Sequence, residues 1–172
     1  PWLADHQVFG SVVMPGAGSL ALVLHAAEVL WETPAVQVRD VVLTQPMVIP
    51  DGQARTLQLL LQPTTAQNGT PTAEAQLVSL PTGAPADTEP TPHLNGTVST
   101  ASALAMADLA ALQSRCTTPV AVIEPPNDGS IVFGPTFRWL AEIWRGDGEA
   151  LARLVQPDAL DSTTGYLIHP AL

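Results

Sequence analysis

Pro1-Trp2-Leu3-Ala4-Asp5-His6-Gln7-Val8-Phe9-Gly10 opens the chain and leads almost at once into Pro15-Gly16. Val8, Phe9, Ser11, Val12, Val13 and Met14 form a mostly apolar, β-prone run that the proline and glycine stop. From Gly18 to Trp31 there is no proline, and Leu20, Leu24, Ala27 and Trp31 recur at helical spacing. Ala21, Leu22, Val23, Ala26, Val29 and Leu30 fill most other positions, so His25 and Glu28 are the main polar interruptions. A helix apolar nearly all round must be enclosed rather than laid on a surface. A curved sheet wrapped around one long helix meets that demand.

The following segments read as the sheet. Val36–Leu43, Pro46–Ile49, Thr56–Gln62, Thr72–Leu80 and Leu94–Thr100 are strand-like runs separated by turn chemistry. Asp51-Gly52 suggests a hairpin between the second and third, and Gln67-Asn68-Gly69 links the third to the fourth. Pro81–Pro92, rich in proline and small polar residues, reads as a loop. One enclosed helix followed by an antiparallel meander is the α+β pattern called a hotdog fold. Ala103–Gln113 is helix-prone, and the proline-punctuated Thr117–Asp128 completes a connector. A new apolar series then runs through Ile131, Phe137, Leu140, Ile143 and Trp144, with Trp139 and Trp144 near helical spacing. The expected organisation is an N-terminal unit over 1–102, a connector over 103–129, and the start of a second unit over 130–172. Both ends look cut from something longer.

Composition narrows the function classes. Hydrophobic residues make up 46% of the 172 and charged residues 13%, enough apolar surface to bury a core. The net charge is -10 and the six basic residues are all arginine, so a nucleic-acid partner is not expected. The missing lysine removes Schiff-base chemistry and a phosphate-loop lysine. A single cysteine, Cys116, fits a reducing, cytoplasmic setting, and no membrane-spanning run or signal peptide is visible.

Three phrases carry a family resemblance. His6, Gly10 and Pro15 form an H-x3-G-x4-P arrangement that resembles the first active-site motif of polyketide synthase dehydratase domains and of the related fatty acid synthase dehydratases. Phe133-Gly134-Pro135-Thr136-Phe137 is similar to the family's Tyr-Gly-Pro-x-Phe motif, which opens its second hotdog lobe. Tyr166-Leu167-Ile168-His169-Pro170-Ala171-Leu172 resembles the approach to the third motif, where His-Pro-Ala-Leu leads to a catalytic aspartate. His93-Leu94-Asn95-Gly96-Thr97-Val98 fits a recurring strand near the end of the first lobe. The resemblance spans essentially the whole chain and implies a double hotdog, with the first lobe complete and the second begun.

It also implies an activity: loss of water from a β-hydroxyacyl thioester held on an acyl carrier protein, giving an α,β-unsaturated chain. His6 would be the base, since neutral imidazole takes and returns a proton near neutral pH. Charge developing on the thioester oxygen needs N–H donors, from around Gly10 or from the helix opening near Gly16–Gly18, and the resemblance implies Gly10. The acid would be an aspartate falling just beyond Leu172. Gly10, Pro15, Phe133 and Pro135 are the expected substrate-binding positions. Phe133 stands where the family commonly has tyrosine and lacks its hydroxyl.

No metal and no redox cofactor are expected, because the phosphopantetheine arm belongs to the carrier. The partners implied are that carrier, neighbouring synthase domains and a second copy of the chain. Competing readings are double-bond isomerisation, pyran-forming cyclisation, or a non-catalytic scaffold or docking domain. His25, His93 and His169 read as structural, and Cys116 as packing. Asp5 and Asp161 do not occupy the position of the family's catalytic acid.

Overall fold

In a computed structural model, residues 2–65, 69–101, 106–123 and 129–172 are described. A 3-10 turn over Trp2–Asp5 leads into β1 (His6–Val8) and β2 (Ser11–Val13). These pair antiparallel through a two-residue turn, with Val8 opposite Ser11. The apolar run expected over 8–14 is thus a hairpin rather than one strand. Phe9 and Gly10 both have positive φ, 47° and 75°, as a type I′ turn requires.

Helix α1 (Gly16–Trp31) follows, with Pro15 as an extended N-cap that lacks a side-chain cap bond. Its last turn closes through Glu32 in the left-handed region, whose N–H donates to the Glu28 carbonyl. Val23 and Ala27 are fully buried in one cluster with Ala73, Ala75, Leu77, Leu94 and Val98 of the sheet. Small residues at 73 and 75 let the helix approach the sheet closely. Leu22, Val29 and Leu30 on its other side are exposed, so α1 is covered on one face within this chain rather than all round.

That sheet is formed by β3 (Val36–Leu43), β5 (Arg55–Thr65), β6 (Pro71–Pro81) and β7 (Thr91–Thr100), ordered β3-β7-β6-β5 and antiparallel throughout. With α1 laid across it, the unit is a hotdog. Strand β6 follows the period-two rule, Ala73, Ala75 and Leu77 facing inward between more exposed neighbours. Asp40, at φ 52°, marks a register shift in β3 opposite Gly96, where a Cβ would lie 3.3 Å from the Arg39 carbonyl oxygen.

The short β4 (Val48–Ile49) pairs with β2 rather than with β5, so Asp51-Gly52 makes a turn but not a hairpin. Within Pro46–Ile49 only the last two residues are strand. Of the residues linking β5 to β6, Gln67 and Asn68 lie outside the described set. Helix α2 (Leu109–Arg115) is capped by Asp108, which accepts from the Ala111 N–H; positions 103–105 of the expected helical stretch also lie outside the described residues.

The stretch read as connector contributes β8 (Thr118–Val120) to a second sheet, ordered β11-β10-β8 with β10 (Leu140–Arg145) and β11 (Ala150–Leu154). Pro119 is tolerated because β8 is an edge strand. Arg115 pairs with Glu149 at 2.6 Å and so ties α2 to the β10–β11 hairpin, holding the Glu149 carboxyl below its usual range through that hydrogen bond. Trp139 and Trp144 belong to extended chain, not a helix. Strand β9 (Ile131–Phe133) returns to the start of the chain and pairs with β1, placing Phe133 opposite His6. No helix among the described residues is long and apolar enough to cross a membrane.

Candidate active site

His6 begins β1, between β2 on one side and β9 on the other. Its Nδ1 lies 2.8 Å from the Val13 carbonyl oxygen. A carbonyl can only accept, so the neutral ring carries its proton on Nδ1 and leaves the Nε2 lone pair available. Among the described residues Nε2 has no hydrogen-bond partner. The ring is half-buried and flanked by Phe133 and Phe137, with centroids 5.3 Å and 5.4 Å away. A fixed tautomer, a free basic nitrogen and apolar walls suit the imidazole for taking a proton from a weak carbon acid.

The other expected positions fall in distinct places. Gly10 sits at the exposed tip of the β1–β2 hairpin, where its left-handed backbone serves the turn. Pro15 is buried, and its carbonyl accepts from the Gly18 and Ser19 amides at 3.0 Å and 3.2 Å. The amides of Gly16 and Ala17 have no acceptor among the described residues, so the uncapped start of α1 presents two donors. Pro135 is exposed at the start of a 3-10 turn over Pro135–Phe137. Phe133 keeps its ring against the imidazole.

A cavity of about 410 Å³ lies beside α1, lined among others by Trp2, Met14, Leu22, Leu57, Tyr166 and Pro170. Trp2 belongs to the turn before β1 and Met14 directly follows β2, so residues flanking the β1–β2 hairpin border this apolar space, while His6 itself is not among its lining residues.

Two arrangements were not foreseen from sequence. Asp5, set aside as a catalytic acid, accepts at Oδ2 from the Thr136 N–H (3.0 Å) and from its hydroxyl (2.8 Å). In the other, His93 is buried and donates from Nδ1 to the Gln45 carbonyl (3.1 Å), while its Nε2 accepts from the Ser79 hydroxyl (2.7 Å). Arg55 in turn donates to Ser79 at 3.1 Å. His169 is buried among Trp2, Trp139 and Tyr166, and its Nδ1 accepts from the Ala171 N–H. Burial pushes its imidazole below the ordinary histidine value. His25 lies exposed beside Glu28.

A hotdog unit whose first strand presents an oriented histidine between two aromatic rings sets the class of fold and site, and comparison with known proteins makes the class specific. Residues 1–76 match the family described as polyketide synthase dehydratase domain, and residues 104–172 match the polyketide synthase dehydratase N-terminal domain. The chain belongs to the polyketide synthase dehydratase domains. It is 31% identical to the mycoketide-CoA synthase of Mycobacterium tuberculosis over 99% of this chain and 4% of that protein. With polyketide synthase GfsB of Streptomyces halstedii it shares 29% identity over 100% of this chain and 3% of that one. The chain therefore spans only a small part of the synthases it matches.

Among solved structures, the CurJ dehydratase, crystallised with a bound compound as an inactive mutant carrying phenylalanine in place of a histidine, superposes with a TM-score of 0.84 at 30% identity. That match covers all of this chain and 59% of the other.

Proposed function

We propose that this domain dehydrates a β-hydroxyacyl thioester presented by an acyl carrier protein, with His6 as the base. The observation that carries the reading is the His6 imidazole itself: Nδ1 is tied to the Val13 carbonyl and Nε2 faces no protein acceptor or donor among the described residues. Nε2 takes the α-proton. The thioester oxygen, as it gains charge, calls for amide donors, and the uncapped start of α1 at Gly16 and Ala17 supplies N–H groups without a protein acceptor among the described residues. The β-hydroxyl leaves as water after protonation by a carboxylic acid, an aspartate following the His169-Pro170-Ala171-Leu172 phrase. Base and acid suffice for this elimination, so the reaction calls for no metal or redox cofactor. Neighbouring synthase domains supply the substrate, and the setting is cytoplasmic.

Support also comes from the CurJ relative, whose described inactive form has lost a histidine to phenylalanine. The test compares wild type and His6→Ala in the complete dehydratase domain on a carrier-bound 3-hydroxyacyl substrate, with products identified by mass and proton NMR. Loss of a general base lowers turnover by roughly 100- to 10,000-fold. Equal turnover by the two proteins refutes the assignment, and a shifted double bond or a ring as the first product refutes dehydration.

A further inference from the structure

Asp5 precedes the proposed base by one residue, and three hydrogen bonds join it to the segment across from it. Its carboxylate accepts from the Thr136 N–H and hydroxyl at 3.0 Å and 2.8 Å, and its backbone carbonyl accepts from the Gly134 N–H at 2.7 Å. The sequence Gly134-Pro135-Thr136 is shaped to receive it. A Cβ on residue 134 would lie 2.6 Å from Asp5 Oδ1, so only glycine leaves room for the carboxylate. Pro135 has no N–H that would need an acceptor. Thr136, buried, brings both of its donors to the same oxygen, its hydroxyl also lying 3.5 Å from the Trp2 carbonyl oxygen.

Phe133 and Phe137, whose rings flank the His6 imidazole, sit immediately on either side of this receptor. Fixing residues 134–136 therefore fixes both aromatic walls. Asp5, at the end of its own 3-10 turn, passes the same constraint to the neighbouring residue.

We propose that Asp5 is a positioning residue: its clasp on Gly134 and Thr136 seats the His6 imidazole so that Nδ1 points to the Val13 carbonyl and Nε2 to the substrate. The inference rests on His6 being the base, but its structural half stands on a separate readout. A carboxylate that merely completed the turn would stabilise the fold without setting the ring's orientation or tautomer.

The experiment uses the complete dehydratase domain and the variants Asp5→Asn, Thr136→Val and their combination. Steady-state rates are measured on a 3-hydroxyacyl N-acetylcysteamine thioester, and the His6 ring nitrogens are observed by NMR in the resting protein. Asp5→Asn is expected to lower kcat by roughly 10- to 100-fold through misplacement of the base, with KM held within about threefold. Thr136→Val, which removes the hydroxyl's bond to Asp5 and its longer contact with the Trp2 carbonyl but keeps the N–H bond, gives a smaller loss of the same kind. The double variant is no worse than Asp5→Asn, as befits one shared interaction. In both single variants the His6 signals leave the single Nδ1–H pattern for a mixture of tautomers.

Wild-type kcat in Asp5→Asn overturns the proposal, and so does a reduced kcat with unchanged His6 signals. If Asp5→Asn does not fold, Thr136→Val decides by the same two criteria. Failure of the base assignment looks different: His6→Ala turns over like wild type, while the tautomer mixture still appears in the Asp5 and Thr136 variants.

Discussion

A methyl group added at Gly134 would place its carbon 2.6 Å from Asp5 Oδ1 and 2.7 Å from Asp5 Cβ. The carboxylate hangs on a short side chain and must swing away, which breaks both bonds from Thr136. Thr136 is 7% exposed, so water replaces them poorly. The hydroxyl can turn to the Trp2 carbonyl, 3.5 Å away, but the backbone N–H is left without an acceptor at roughly 1–3 kcal/mol, to which the crowding of the new methyl adds. Allowing for partial relaxation, Gly134→Ala should destabilise the dehydratase domain by about 3 kcal/mol. In an Asp5→Ala background the two bonds are already gone, yet the contact with the Cβ of residue 5 persists. There the same change should cost about 1–2 kcal/mol, close to an ordinary overpacking penalty. Urea denaturation of wild type, both single variants and the double variant closes the cycle and gives the coupling directly. A cost for Gly134→Ala below about 0.5 kcal/mol, within the range of ordinary surface substitutions, or an equal cost in both backgrounds, refutes the clasp as drawn.

Two further expectations concern other parts of the chain. Burial holds the His169 imidazole below its ordinary value, and its Nδ1 accepts the Ala171 N–H, a bond that only the neutral ring can make. The unfolded chain therefore binds this proton more readily than the folded one. Stability from this group is complete above the unfolded value of about 6.5 and declines as the pH falls below it toward the lowered folded value. Melting temperatures taken from about pH 8 to about pH 5 should show the decline in wild type and a flatter profile in His169→Phe; parallel profiles would reject it. Phe9, 81% exposed, holds a left-handed backbone at the tip of the β1–β2 turn. Asparagine tolerates that conformation better, so Phe9→Asn should raise stability by about 1 kcal/mol in thermal or urea unfolding. A loss of stability would show that the phenyl ring has a packing partner.

Hydrophobic pattern alone carried much of the first unit. The proline-free apolar stretch ending at Trp31 is α1, and Val36–Leu43 is strand from end to end. The long β5, β6 and β7 also lie where alternation and turn residues put them. The failures share a cause: pairing partners far away in the chain. Asp51-Gly52 has the composition of a hairpin turn, but β4 joins β2, a choice made by tertiary packing and not by the dipeptide. Thr118–Val120 is too short and too proline-marked to announce a strand, and becomes one because β10 is beside it. Trp139 and Trp144 mimic helical spacing within extended chain. At the site, the motif pointed to His6, Gly10 and Phe133, whereas the link between Asp5 and Thr136 had only a faint trace. That trace was a glycine immediately before Pro135-Thr136, whose need for space is visible only once Asp5 lies over it.

Strand β1 is three residues long, and one of its two ladders is supplied by residues 131–133. Closing a loop that long is entropically unfavourable for so few hydrogen bonds, so this ladder gains little from being formed early. As the chain emerges from the ribosome, the helix and its four-stranded sheet have all their residues well before β9 has been made. The strand bearing the imidazole thus gains its second neighbour late, and in the finished molecule it belongs among the segments that open most readily while the helix-backed sheet stays shut.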